Sequence, residues 1–228
     1  MHNLFTMELI IKNISINPSN ASEVPNILDK EGVEWNAIDC HNWSENYPYK
    51  PQAKFRIAYS ENNMIIQYDV NENSIRATEL SDNGHVWEDS CCEFFIAPKN
   101  DGMYYNIECN CIGTLLIGVG KGRENRQLAS QDILDQVKRW SSLEHKEIPL
   151  KKGRFHWQLA LMIPISTFFM HQMGNILNLF MKCNIYKCGD KLCEPHFLSW
   201  SPITSTTPDF HRLEDFAKCI VRPNMTTI

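Results

Sequence analysis

The sequence predicts an all-β protein, namely a two-sheet antiparallel β-sandwich of jelly-roll type with one short helix. Three observations support this class: apolar and polar residues alternate in many short runs, turn signals separate these runs at fairly regular spacing, and a single stretch has helical periodicity. Strands and helices do not alternate as a parallel sheet would require. We expect residues 1–228 to form a single domain in which residues 1–32 supply an N-terminal strand and a connection.

The first half of the chain is expected to consist of hairpins. Residues 54–70 contain the runs FRIAY and MIIQYDV around the polar turn SENN, which is typical of two paired strands. Residues 71–84 are polar and end in SDNG, so we expect a loop. Between positions 86 and 120, two alternating strands flank a turn at Asp101-Gly102, and a short apolar strand follows at 115–119.

The second half contains the predicted helix and the remaining strands. Apolar side chains at Ile133, Leu134, Val137 and Trp140 repeat with helical spacing, and Ser130 precedes them as an N-cap.

Two alternating strands are then expected, one ending at Pro164 and one over residues 176–186. A long loop rich in Pro, Ser and Thr follows from residue 195 and leads to a final short strand that ends near Val221.

Composition excludes several classes of protein. The formal charge is −5 and Lys and Arg form no run, so binding to nucleic acid is not expected. No apolar run is long enough to span a membrane. The oligomeric state is not predicted.

The N-terminus lacks the pattern of an export signal and the nine cysteines are an odd number. We therefore expect free thiols in the cytoplasm, or a periplasmic or secreted protein if a signal has been removed.

One face of the predicted strand pair at 86–111 is polar. Alternation places Glu93 on the first strand and Asn106, Glu108 and Asn110 on the second strand on this face, with Trp87 at the entrance. An indole packs well on the C–H face of a pyranose, and carboxylates and amides hydrogen-bond its hydroxyls. Together with Trp200 as a second aromatic plate, these residues predict a sugar-binding site. The alternative for both tryptophans is ordinary core packing.

Metal sites receive weaker support. The spacing C-x4-C-x4-C-x2-H of Cys183, Cys188, Cys193 and His196 permits a zinc site, although structural zinc sites usually have C-x2-C pairs. Calcium is the other metal considered, with four loop carboxylates as candidate ligands and a solvated acidic surface as the simpler interpretation. These candidates are Asp82, Glu88, Asp89 and Asp101.

No catalytic motif is present. The pair Glu93 and Glu108 could act as the acid and nucleophile of a glycosidase, but the sequence contains no hydrolase, metalloprotease or phosphate-loop signature. We therefore expect no enzymatic activity, and a glycoside-processing enzyme is kept as an alternative.

The order of several motifs resembles the family 9 carbohydrate-binding modules, and in particular stand-alone proteins of this type from gut bacteria. The resemblance rests on the runs WEDSCCEFF, YYNIECNCIGTLLIG, NIYKCGD, PHFLSWSP and DFHRLEDFA, and it covers the chain from about Trp35 onward. It implies a sandwich related to the DOMON class, non-catalytic binding of a carbohydrate between two tryptophans, and structural calcium.

Trp87 and Glu93 have the six-residue spacing found in the sites of such modules. Relatives of this sandwich that bind haem through Met and His make a redox module the second alternative.

Overall fold

The computed structural model describes residues 7–223 and is built mostly of strands. In chain order its thirteen strands are β1 Glu8–Asn13, β2 Asn36–Ala37, β3 Gln52–Ser60, β4 Asn63–Ala77, β5 Cys91–Ala97, β6 Tyr104–Asn110, β7 Leu115–Gly120, β8 Gln127–Leu128, β9 Lys138–Ser141, β10 Ile148–Pro164, β11 Phe180–Cys188, β12 Phe197–Ser199 and β13 Ala217–Arg222. The two α-helices are α1 Val24–Lys30 and α2 Gln131–Leu134.

All thirteen strands belong to one curled, mixed sheet. Neighbouring strands follow the order β8-β7-β6-β5-β11-β13-β1-β3-β4-β10-β9, while β2 pairs with β3 and β12 pairs with β11. The prediction of an all-β protein is therefore confirmed, but two separate antiparallel sheets are not seen. The departure lies at β1, which pairs in parallel with both β13 and β3 and joins the two halves of the hydrogen-bonded network.

Both faces of the sheet are covered. The concave face encloses the main core, to which β3, β4, β5, β6, β10 and β11 all contribute. On the outer face of β3, β4 and β10, helix α1 buries Val24, Ile27 and Leu28. These three residues lie at i, i+3 and i+4, so they form one helical face. On the outer face of β5, β6 and β11, the loop of residues 200–216 forms a third apolar cluster.

Two predicted elements differ from the observed ones, and one observed helix was not predicted. The strand β4 continues to Ala77 through the stretch predicted as a loop, because Ser74, Ile75 and Ala77 are buried against β10. The helix predicted over 130–140 contains only α2, since Trp140 lies in β9 and pairs with Ala160. Helix α1 was not predicted.

The hairpin of β3 and β4 and the hairpin of β5 and β6 agree with the sequence prediction. In the turn between β5 and β6, Gly102 has a φ of 82°, which glycine adopts without strain, and Asp101 Oδ1 accepts a hydrogen bond from the Met103 amide at 3.0 Å.

None of the nine cysteines, all of which lie among the described residues, forms a disulfide, and seven of them are buried. Within residues 7–223, no helix is both long enough and apolar enough to cross a bilayer.

Candidate functional site

The site begins with the alternation of side chains along β5 and β6. Cys92, Phe94 and Ile96 face the main core, whereas Cys91, Glu93 and Phe95 face outward. On β6 the outward set includes Asn106 and Glu108. The register aligns Glu93 directly with Glu108 and Phe95 with Asn106. Two carboxyl groups therefore stand side by side on one face, as the sequence predicted.

These side chains form the floor of a cavity of about 340 Å³, called the β5–β6 cavity below. Its wall comes from the ends of β7 and β11, from the segment between β7 and β8, and from the loop of residues 200–216. The lining residues include Trp87, Glu93, Asn106, Glu108, Arg123, Arg126, Cys188, Asp190, Phe197, Phe210 and His211.

Trp87 is half-buried at the edge of this cavity and packs against the apolar cluster beneath the loop of residues 200–216. Its indole lies 4.6 Å from the His85 ring, at an interplanar angle of 30°. The residue belongs to a short 3-10 turn, Val86–Glu88, in which buried Val86 anchors the backbone. An aromatic surface is thus held where a ligand entering the cavity would meet it.

Asn106 is oriented by its neighbours. Arg126 Nε donates to Asn106 Oδ1 at 2.8 Å, and Asn106 Nδ2 donates to Glu108 Oε1 at 2.7 Å. The amide fits this position because Gly118 lies opposite it on β7. A Cβ atom at residue 118 would come within 2.7 Å of Asn106 Oδ1. The result is a chain of hydrogen bonds from Arg126, which directly precedes β8, through Asn106 to Glu108 on β6.

Arg126 is itself fixed by the backbone around it. Its guanidinium donates to the carbonyl oxygens of Tyr104 at 2.9 Å and Gly122 at 2.7 Å, and it lies 4.4 Å from the centre of the Tyr104 ring. Because these contacts hold the cation in place, the direction of the Asn106 amide is set before any ligand arrives.

Glu108 has one free oxygen. Oε1 accepts from Asn106, but Oε2 is buried and has no hydrogen-bond partner. Burial raises the pKa of Glu108 to about 7, although the hydrogen bond from Asn106 acts in the opposite direction and lowers this pKa. A buried carboxyl oxygen without a partner is costly, so this atom is available to a hydroxyl group supplied by a ligand.

Glu93 is more deeply buried. Burial raises the pKa of Glu93 well above its usual range, and the neighbouring Cys188 and Glu108 add to the shift. Oε1 accepts from Cys188 Sγ at 2.9 Å. Near neutral pH the floor of the cavity can therefore hold protonated carboxyl groups, which donate as well as accept hydrogen bonds.

The outer wall adds two groups with shifted pKa values. Burial, together with the Glu88 charge, raises the pKa of Asp190 to about 6. Burial and the two arginines at the cavity, Arg126 and Arg123, lower the pKa of His211 to about 3. His211 is therefore neutral at physiological pH, and its Nδ1 lies 2.9 Å from the Tyr104 hydroxyl.

Phe197 and Phe210 supply the apolar part of the wall. Phe210 stacks on Tyr186 with ring centres 4.1 Å apart, and Trp43 holds the loop by donating from Nε1 to the Ser205 carbonyl at 2.9 Å. Phe197 contacts Tyr47 edge to face at 4.8 Å. A second aromatic surface thus exists in the cavity, but phenylalanine provides it.

Trp200, predicted as the second plate, is a core residue instead. It is 5% exposed and packs edge to face on Phe55 at 6.1 Å in the main core. Alternation along and just beyond β12 explains this position. Phe197 points toward the cavity, whereas Leu198 and Trp200 point into the core.

Asn110, also predicted as a site residue, does not line the cavity. Its amide nitrogen donates to the Glu79 carbonyl at 2.9 Å and to Asp89 at 3.0 Å, and its oxygen accepts from the Thr114 amide at 2.9 Å. Asn110 therefore builds the turn after β6, where Gly113 has a φ of 94°. Of the six predicted site residues, the structure brings four together: Trp87, Glu93, Asn106 and Glu108.

Sequence reasoning missed Arg126, Arg123, Asp190 and His211. They lie in loops whose course no periodicity indicates. Phe197 could have been found, because the alternation that leads from Trp200 back through Leu198 assigns Phe197 to the opposite face.

The residues considered for zinc from their spacing do not converge. Cys183 faces the main core, Cys193 is exposed, and His196 is buried beside Lys187, with Nε2 and Nζ 2.9 Å apart. Only Cys188 reaches the cavity.

The four carboxylates considered for calcium are also separated. Asp82 pairs with Arg139, Asp89 with Arg76, Glu88 with Lys191 and Asp101 with His171. These residues therefore do not fit a common calcium site. Binding of calcium elsewhere stays a prediction.

The fold and the site define a β-sheet protein with a small cavity of aromatic and carboxyl groups on one outer face, which is a class of ligand-binding module. The model of carbohydrate-binding family 9 matches residues 22–220, and the chain belongs to this family. The resemblance found in the sequence is confirmed. The modules of this family are non-catalytic, in agreement with the expectation that the protein is not an enzyme.

Several solved structures are similar to this chain. A protein of Bacteroides uniformis for which carbohydrate binding has been suggested is 45% identical, with a TM-score of 0.90 over 94% of this chain and 99% of the other. A family 9 module of Caldicellulosiruptor kristjanssonii in complex with cellotriose is 13% identical, with a TM-score of 0.62 over 96% of each chain.

The same Caldicellulosiruptor module in complex with glucose, also 13% identical, has a TM-score of 0.63 over 97% of this chain and 99% of the other. At this identity the likeness concerns the fold. No curated protein matches the chain.

Proposed function

We propose that this protein binds a carbohydrate non-covalently in the β5–β6 cavity. The observation that carries the proposal is Glu108 Oε2, a buried oxygen without a partner at the floor of a cavity that also contains an aromatic side chain. Sugar hydroxyls both donate and accept hydrogen bonds, so they suit a floor made of carboxyl and amide groups.

Trp87 is the aromatic surface on which the sugar ring packs. Its indole is half-exposed at the cavity, whereas Trp200 is enclosed in the core, so the stacking role falls on Trp87. Phe197 and Phe210 lie across the same cavity and replace the predicted second tryptophan. A ring between them would bury its C–H faces while its hydroxyls reach Glu108 and Asn106.

The size of the cavity limits the ligand. A volume of about 340 Å³ lies near the lower end of the roughly 300–1,000 Å³ that is usual for small-molecule sites. This favours one or two sugar units over a long stretch of polysaccharide. The related modules bound to glucose and cellotriose support glucose units as the first ligands to test.

Titration calorimetry with glucose, cellobiose and cellotriose tests the proposal through Glu108→Gln. The titration is made at pH 8, above the pKa of Glu108, where the variant keeps the acceptor for Asn106 but loses the negative charge that the carboxylate offers to a sugar hydroxyl. Hydrogen bonds to charged groups contribute about 1.5–3 kcal/mol, so affinity should fall roughly 10- to 100-fold.

The matched control is Glu124→Gln, which changes an exposed glutamate of the same cavity and should leave the affinity nearly unchanged. Equal affinities of the wild-type protein and Glu108→Gln for a sugar that binds would contradict the assignment of the site.

A further inference from the structure

The outer face of β5 and β11 contains a second arrangement beneath the proposed sugar site. Cys91, Glu93 and Cys188 each offer one ligand atom, and these three atoms lie within 4.8 Å of one another. All three side chains are buried. Among residues 7–223, no other group of three His, Cys, Asp or Glu side chains converges in this way.

The sheet register creates this arrangement. Cys91 on β5 and Cys188 on β11 are directly opposite each other, and Glu93 lies two residues further along β5 on the same outward face. The thiol of Cys188 is 2.9 Å from Glu93 Oε1. Because the three residues lie on paired strands rather than on loops, the spacing of their ligand atoms is set by the sheet.

Glu93 lacks a cationic partner. It is 2% exposed, and in the described part of the chain its carboxylate forms no salt bridge and accepts only from the thiol of Cys188, a weak donor. A buried carboxylate needs either a proton or a cation. Two thiols beside it make a soft divalent cation the better match, since thiolate and carboxylate together suit zinc.

We propose that Cys91, Glu93 and Cys188 form a binding site for a zinc-like d10 cation, which goes beyond the proposed sugar binding. Zinc–sulfur bonds of about 2.3 Å and zinc–oxygen bonds of about 2.0 Å require tetrahedral ligand separations of about 3.5–3.8 Å. The present separations, none above 4.8 Å, need only small side-chain movements to reach these values.

The charge and the protons balance in a simple way. The cation takes the place of the two thiol protons and of any proton on Glu93, and these protons pass to solvent. Three protein ligands leave the fourth tetrahedral position open. Glu93 and Cys188 line the β5–β6 cavity, so this position is next to the space where a sugar would bind.

The test is a titration of the reduced protein with Cd²⁺, whose thiolate complexes absorb in the ultraviolet. Cys40→Ser and Cys193→Ser first remove the two thiols that are not buried. We expect one equivalent of Cd²⁺ to give a saturable thiolate band, one equivalent of Zn²⁺ to displace it, and either ion to raise the thermal unfolding midpoint.

In the same background, Cys188→Ala should reduce the affinity for Cd²⁺ on the order of 100-fold or more. At one equivalent of Cd²⁺ the thiolate band and the thermal shift should therefore be lost. The control Cys109→Ala removes an equally buried thiol that faces the main core, and it should retain both signals. Cys91→Ala provides a second variant if Cys188→Ala does not fold.

Absence of a saturable band in the folded wild-type background, or a band of equal affinity in Cys188→Ala, would overturn the proposal. Sugar binding is measured separately in the presence of a chelator. Absence of a saturable cadmium band with intact sugar binding would therefore overturn the metal site alone, and a saturable cadmium band in a protein that binds no sugar in the presence of the chelator would overturn only the proposed function.

Discussion

Glu108 is expected to make the folded protein less stable as the pH rises, because its carboxyl group is buried. Burial raises the pKa of this carboxyl in the folded protein to about 7, compared with 4.5 for a solvated glutamate. Between these two pH values the folded state holds more protons than the unfolded state. The free energy of unfolding therefore falls as the pH rises from about 4.5 to about 7, and this loss remains above pH 7.

The magnitude follows from the size of this shift. A difference of about 2.5 pH units in the pKa of Glu108 corresponds to about 3 kcal/mol at 1.36 kcal/mol per unit. Glu108→Gln keeps the shape of the side chain and removes the titration. The variant should therefore be more stable than the wild-type protein at pH 8, by about 1–3 kcal/mol.

Urea unfolding at pH 4.5, 6 and 8 measures this difference. The gain of Glu108→Gln over the wild type should be largest at pH 8 and smallest at pH 4.5. A part of the wild-type pH dependence should remain in the variant, because the pKa values of Glu93 and Asp190 are also raised. A stability difference that is the same at all three pH values would refute the reasoning.

Two further substitutions separate binding from folding. Gly118→Ala places a Cβ atom within 2.7 Å of Asn106 Oδ1, so the amide must move and sugar affinity should fall about 10-fold while the protein stays folded. Unchanged affinity in calorimetry would show that Asn106 is not needed. Trp200→Ala empties a site in the main core and should cost about 3–5 kcal/mol of stability in urea unfolding. If Trp200→Ala had wild-type stability but no longer bound the sugar, Trp200 would be a residue of the binding site and its assignment to the core would be wrong.

Alternation along strands predicted the centre of the site well. Around Glu108 the sequence switches between apolar and polar at every residue from Tyr105 to Asn110, Glu93 interrupts an otherwise apolar strand, and the turn at Asp101-Gly102 determines how the two strands align. Those facts are enough to place both carboxyl groups on one face. Burial of that face by the loop of residues 200–216 was beyond what alternation can show, because it depends on Trp43 and other distant residues.

The errors have physical causes as well. Asn110 continues the polar pattern of β6, but the chain turns immediately after it and its amide is used to close that turn. The side-chain partner of Arg126 is Asn106, which lies 20 residues earlier on β6, so the sequence near Arg126 does not indicate its role. The mixed sheet was not predicted because β1 is far along the chain from β3 and β13, the two strands with which it pairs in parallel.

The most direct test of sugar binding in the β5–β6 cavity is the affinity of Trp87→Ala for the best ligand found among glucose and its oligomers. Truncation of an aromatic side chain that packs directly on the ligand costs about 2 kcal/mol or more, which is a loss of about 30-fold in affinity. The matched control is Trp35→Ala, which removes another half-buried indole that packs on Lys54 and Arg56 away from the cavity.

We predict that Trp87→Ala loses at least about 30-fold in affinity by calorimetry, while Trp35→Ala binds like the wild-type protein. If Trp87→Ala folds and binds the sugar as tightly as the wild-type protein does, the ligand does not pack on Trp87 and the proposed site is wrong.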